Sequence, residues 1–156
     1  MKICPIYHSR KIIYCYSGNE YIILKMSKQS IHTDQAPKAI GTYSQAIRAG
    51  NTIYLSGQVG FDPSTMEIVG GFEHQLRQIF KNITAVTAAA GARLEDVVKL
   101  TVFLTEMENF PKVNEIMTEF FSEPYPARSA VGVKELPRQA LVEVEAIVST
   151  RLEARG

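Results

Sequence analysis

The sequence predicts an α+β fold, a mixed sheet with two helices packed on one face. Two apolar stripes at helical spacing, β-branched runs around them and a strand–helix–strand order predict it. Tyr43 to Ala49 alternates and reads as a strand, with Gly50-Asn51 as a turn. Thr52 to Ser56, β-branched and aromatic, is its hairpin partner. Gly57, Gly60, Asp62, Pro63 and Ser64 then mark a loop. Phe72, Leu76, Ile79, Ile83, Val86 and Ala90 recur at steps of three and four, so they line one face of a long helix that Gly91 stops. Val97 to Thr105 is a strand. Asn109 is placed to cap a second helix whose apolar side is Val113, Ile116, Met117, Phe120 and Phe121. Pro124 and Pro126 end it, Arg128 to Val133 is a strand, and Leu141 to Thr150 is the last one. A further short strand is expected before Pro37. The strand–helix–strand steps need crossovers, so part of the sheet is expected to be parallel.

A chain of 156 residues that is 46% hydrophobic and 21% charged fits one soluble globular domain. Cys4 and Cys15 both lie near the N-terminus, which excludes a zinc site of Cys/His type and a cysteine nucleophile in the body. No apolar run approaches the ~20 residues of a membrane span, and a cytoplasmic location is the expectation. Residues 1–26 carry a net charge of +3 and residues 27–156 a net charge of −2, so the body has no global attraction for nucleic acid. Residues 1–26 are read as an extension without function, with Met26 as a candidate start, and 27–156 as the domain. The apolar residues Ile12, Ile13, Ile22, Ile23 and Leu24 would add an edge strand if that segment orders.

No phosphate-binding loop, dinucleotide fingerprint, HExxH or GxSxG motif is present, and His8, His32 and His74 have no ligand-like spacing. Metal catalysis and covalent acyl chemistry are therefore not expected. Four other features carry chemistry, each with a plain structural alternative. In the last strand Glu143 and Glu145 share a face, about 6.6 Å apart. They are either the wet side of a half-exposed strand or a cleft carboxylate that holds a water and moves a proton. Arg128 follows Pro124-Tyr125-Pro126, a stiff entry that suits bidentate capture of a carboxylate; a surface arginine paired with glutamate is the alternative. Ser56-Gly57 offers a hydroxyl and an open backbone N–H to an anion, or is strand-to-loop punctuation. Tyr43 presents a phenol to a pocket, or is an amphipathic core residue.

Read together, these segments resemble the reactive intermediate deaminase family (RidA/YjgF, also called the endoribonuclease L-PSP family). The stretches that match are Ala36-Pro37-Lys38-Ala39-Ile40-Gly41-Thr42-Tyr43-Ser44-Gln45, Leu55-Ser56-Gly57-Gln58, Ala88-Ala89-Ala90-Gly91, Val98 to Leu104, Val113-Asn114, Pro126-Ala127-Arg128-Ser129 and Val142-Glu143-Val144-Glu145-Ala146. They run in order from Met26 to about Thr150. The resemblance implies a chorismate-mutase-like homotrimer with a central β-barrel, helices outside and pockets at the subunit interfaces. It implies hydrolysis of 2-imino and 2-enamino acids, released by pyridoxal-phosphate enzymes, to 2-keto acids and ammonia, with no metal or organic cofactor. By the same resemblance Arg128 binds the substrate carboxylate and Glu143 orients the attacking water. Tyr43 and Ser56 are then pocket hydroxyls, Asn114 is a pocket-side polar residue, and the backbone N–H groups of Gly57 and Ala130 complete the anion contacts.

Three positions depart from the family pattern. Thr42 stands where many members have proline, Ala130 where many active deaminases have cysteine, and Val144 where isoleucine or methionine is usual. A backbone-only role for residue 130 would leave activity intact. Two other functions are weighed: an endoribonuclease or translation inhibitor, which the charge of the body disfavours, and a non-catalytic trimer that binds small carboxylates, which Arg128 disfavours.

Overall fold

The computed structural model describes residues 28–150 in full and, before them, the backbone of two strands, Ile13–Ser17 (β1) and Glu20–Leu24 (β2). These two pair antiparallel with each other as a separate two-stranded sheet, and among the described residues neither joins the main sheet as an edge strand. The main sheet has six strands: Lys28–Ile31 (β3), Ala46–Ala49 (β4), Thr52–Val59 (β5), Val97–Leu104 (β6), Ala127–Gly132 (β7) and Val142–Ser149 (β8). Their order is β3-β4-β5-β8-β6-β7, and every pairing is antiparallel except β6 with β7. The sheet is therefore mixed, and β3 is the short strand expected before Pro37.

Two helices cover one face, Phe72–Ala89 (α1) and Phe110–Phe120 (α2). The stripe read from the sequence is the buried side of α1: Leu76, Ile79, Ile83 and Val86 are inaccessible to solvent. They meet Ile53 and Leu55 of β5, Leu100, Val102 and Leu104 of β6, and Val142, Val144, Ala146 and Val148 of β8 in one core. At about 25 cal/mol per Å² of apolar surface, this core supplies most of the driving force for folding. α2 joins it through Val113 and Ile116, and Phe80 of α1 stacks on Phe120 and Phe121. Gly91 stops α1 in the left-handed region, at φ 70°. The carbonyl of Ala90, the residue that caps the helix, accepts from the Arg48 guanidinium on β4.

Three local expectations are corrected. β4 begins at Ala46 rather than Tyr43, because Gln45 is buried and its amide serves the preceding loop instead of the ladder. β5 continues past Ser56 to Val59: Gly57 sits in a β-bulge within the strand, where the register slips between Leu55 and Gln58. Asn109 precedes α2 but does not cap it with its side chain, because its own backbone is already helical (φ −78°, ψ −6°) at the end of the turn Met107–Asn109.

The other face of the sheet has no helix. Tyr54 is 50% exposed there, opposite Ile147, and Val131 is 43% exposed, opposite Phe103. In a single chain this face leaves apolar side chains in water. Among the described residues no helix is long and apolar enough to cross a membrane.

Candidate functional site

The seven residues singled out from the sequence fall into two groups on one chain. The first is at the β7 edge. Arg128 lies opposite Leu100 in the parallel β6–β7 register, and Leu100 lies opposite Ala146. Both of those are core residues, so Arg128 projects to the helix side of the sheet. There its guanidinium carbon sits 5.1 Å from the centre of the Phe110 ring, and Nη1 donates to Met117 Sδ at 3.1 Å. An aromatic face and a thioether hold the cation in place without neutralising it. Among the described residues no carboxylate lies within ion-pair distance of it, which removes the reading of Arg128 as one half of a surface salt bridge. Arg128 lines a cleft of about 320 Å³ together with Asn114, Met117, Thr118, Tyr125 and Pro126. Ala130 is half-buried two residues further along the same face, opposite Val102.

The second group surrounds the β5 bulge. The bulge leaves Ser56 and Gly57 without a partner residue on β8. The Ser56 amide donates to the Gln45 carbonyl at 3.0 Å, and its hydroxyl donates to the Ser44 carbonyl at 2.7 Å. With that proton engaged, the lone pairs of the Ser56 hydroxyl are its open side. Gly57 faces Glu143: a Cβ at 57 would stand 1.9 Å from Glu143 Oε1 and 2.8 Å from its carboxyl carbon. Only hydrogen fits between that backbone and the carboxyl group. Burial pushes the Glu143 carboxyl above the usual carboxylate range, and the Glu145 carboxylate adds to the shift. Glu145 is exposed, which splits the two carboxylates into one half-buried and one wet member. Tyr43, 50% exposed, lines a small cleft with Gly57, Gln58, Phe61 and Lys38. Its hydroxyl accepts from the Ile40 amide at 3.4 Å.

One chain does not bring the groups together. Glu143 alternates with the core residues Val142 and Val144, so it stands on the face opposite to Arg128. β6 separates the two strands, a spacing of about 9.6 Å. Among the described residues no three histidine, cysteine or carboxylate side chains are placed to hold a metal ion.

Sequence reasoning assigned no role to Gln45 and Phe110, and placed Met117 only on the apolar side of the second helix. Gln45 is 2% exposed; its side chain accepts from the Thr33 amide and donates to the carbonyls of Thr33, Ala36 and Pro37, which fixes the loop before Tyr43. A glutamine at a strand start reads as surface, and only the contacts identify it. Phe110 and Met117 stand seven apart on α2, a spacing visible in the sequence but indistinguishable there from core.

The chain was compared with known proteins. The family model described as Endoribonuclease L-PSP matches residues 33–150. A protein of Dermatophagoides farinae named 2-iminobutanoate/2-iminopropanoate deaminase is 50% identical over 122 residues, covering 78% of this chain and 95% of the relative. Among solved structures, RidA from an Antarctic Psychrobacter is 54% identical with a TM-score of 0.77, covering 78% of this chain and 98% of that one. TdcF of E. coli with bound serine is 38% identical with a TM-score of 0.76, covering 79% and 99%.

Proposed function

The chain belongs to the endoribonuclease L-PSP family, which includes the RidA proteins, and from that premise we propose that it is a 2-iminobutanoate/2-iminopropanoate deaminase. It would hydrolyse reactive imines and enamines released by pyridoxal-phosphate enzymes to 2-keto acids and ammonia. The observation that carries this reading is Arg128, a guanidinium held on an aromatic face and a thioether with no carboxylate partner among the described residues. Such a cation is available for the carboxylate of a substrate, and each hydrogen bond to that charge contributes about 1.5–3 kcal/mol.

A protonated imine is already electrophilic, so the remaining task is to place a water and take its proton. Glu143, with its raised proton affinity, suits that task. The water oxygen bonds to the imine carbon while Glu143 accepts a water proton. Glu143 then returns the proton to nitrogen. As the carbon–nitrogen bond breaks, the hydroxyl proton passes to Glu143 and the carbonyl forms, and ammonia leaves with that proton as ammonium. No redox change and no further reactant are involved.

Arg128 and Glu143 lie on opposite faces of one sheet, so in this reading a second copy closes the site, Arg128 coming from one chain and the bulge with Glu143 from its neighbour. The exposed apolar face bearing Tyr54 and Val131 supports a homotrimer built around that sheet. The location proposed is the cytoplasm, and the substrate is the only small-molecule partner the reading needs.

The test is a coupled assay. Threonine dehydratase generates the imine, semicarbazide traps what is left, and keto acid and ammonia are followed. The expected outcome is that the protein suppresses trapping and that Arg128→Ala abolishes the suppression while the oligomer stays intact. Equal suppression by wild type and Arg128→Ala would remove Arg128 from the mechanism. No suppression by either would leave a carboxylate-binding trimer.

A further inference from the structure

We infer that Gln75 of α1 is a positioning residue that locates Glu143 through its own strand, β8, and the neighbouring strand, β5, at once. Gln75 is 4% exposed, a polar residue that α1 buries among Phe72, Leu76 and Ile79. Two independent contacts connect it to Glu143. Its side-chain Oε1 accepts from the amide of Leu141 at 2.9 Å, and Leu141 stands two residues before Glu143 at the entry to β8. Its Cα, Cβ and Cγ press on Gly60, where an added Cβ would lie only 2.7–2.9 Å from those three atoms. Gly60 follows Val59, and Val59 is the β5 residue opposite Glu143. One helical residue thus fixes the entry to the strand that carries Glu143 and the end of the strand that faces it.

The other side of Leu141 is held as well. Its carbonyl accepts from the Thr105 amide at 3.2 Å and from the Thr105 hydroxyl at 3.3 Å. The β8 entry is therefore clamped between α1 and the end of β6. Without the Gln75 acceptor, the Leu141 amide is left unpaired, and a buried unpaired donor is relieved by moving the strand. Glu143 moves with it. Gly57 leaves the carboxyl no slack on its β5 side, so a small displacement changes both its orientation and its burial. The charged group acting on Glu143 among the described residues is Glu145, on its own strand. A change in the titration of Glu143 then reports its position rather than a new ion pair.

The catalytic consequence rests on the deaminase reading; the positional one does not. Gln75→Met keeps the length and removes the acceptor, whereas Gln75→Glu keeps both length and acceptor. In the methionine variant the expected result is a drop in kcat of about tenfold with KM little changed, since misplacement of a reacting group acts on the transition state. The titration of Glu143, followed by carbon-13 NMR of labelled glutamate, is expected to shift by about half a pH unit or more. Gln75→Glu, which keeps an acceptor for the Leu141 amide, is expected to retain more turnover than Gln75→Met. In the wild-type protein the Leu141 amide is expected to exchange as slowly as ladder amides, which tests the contact even if the methionine variant does not fold. An unmoved Glu143 titration in Gln75→Met, a parallel loss of kcat and rise of KM, or a rapidly exchanging Leu141 amide overturns the inference. A wild-type protein without imine hydrolysis sinks the deaminase reading instead, and the Glu143 titration then decides the role of Gln75 alone.

Discussion

Arg128 and Glu143 lie two strands apart on one sheet, and their surroundings differ in kind. Arg128 sits at an edge, on the helix face, in a cleft of about 320 Å³, against groups that leave its charge uncompensated. Glu143 sits at a bulge on the opposite face, against a backbone with no room for a methyl group, where burial works against its charge. An edge cation in an open cleft is built to capture an anion. A half-dry carboxylate in a fixed slot is built to exchange a proton. On the proposed reading, the sheet divides binding from proton transfer and gives each a separate face.

The sharpest way to break that division is to damage one side per chain. Arg128→Ala and Glu143→Gln chains are each expected to be inactive alone. Co-refolded in equal amounts, they are expected to recover about a quarter of wild-type turnover, because random assembly in a closed ring pairs an intact arginine with an intact neighbouring glutamate in about one site in four. Absence of recovery in the mixed oligomer would place both residues in one chain's site. Gly57→Ala comes next. The added carbon displaces the Glu143 carboxyl group, and the expected loss in kcat is about a hundredfold, with carboxylate binding at Arg128 retained. Binding of a small keto acid, measured by calorimetry, separates the two effects; loss of both would show that the regions are not independent.

The smallest effect is in the pH profile. Glu143 must be ionised to take a proton, and its carboxyl is held above the ordinary value of 4.5. The rate is therefore expected to fall with acid through that raised pKa, in step with the titration of Glu143 followed by carbon-13 NMR of labelled glutamate. The linkage to stability runs the other way. A folded state that holds this proton more tightly than the unfolded chain is destabilised above the raised pKa and relieved as the pH falls through it. Glu143→Gln is accordingly expected to melt slightly higher than wild type at neutral pH, and an unchanged melting temperature across the pH range would remove the burial argument.

Much of this was legible in the residues. The helices and most strands followed from period alone, because α1 and β8 each bury one regular face: Leu76, Ile79, Ile83 and Val86 in one, Val142, Val144, Ala146 and Val148 in the other. What period does not carry is register. Alternation shows that Arg128 and Ala130 share a face, but which face depends on the pairing of Arg128 with Leu100 across a parallel step, a long-range fact. The bulge was hidden for a related reason, since a glycine that interrupts a strand and one that ends it look alike in sequence. Gln45 and Gln75 were hidden because burial of an amide is decided by partners far along the chain, Thr33 for one and Leu141 for the other.

The close approach of Gly57 to Glu143 also sets an order on change over generations. While the glutamate is present, no residue with a side chain fits at 57 without moving it. Once the glutamate is lost or shortened, the constraint at 57 lifts and the position is free to drift. Descent from this site thus has a ratchet. A relative that carries a side chain at the position of Gly57 is expected to have given up the carboxyl group first, and a lineage that has filled that space must clear it again before the carboxyl group can return.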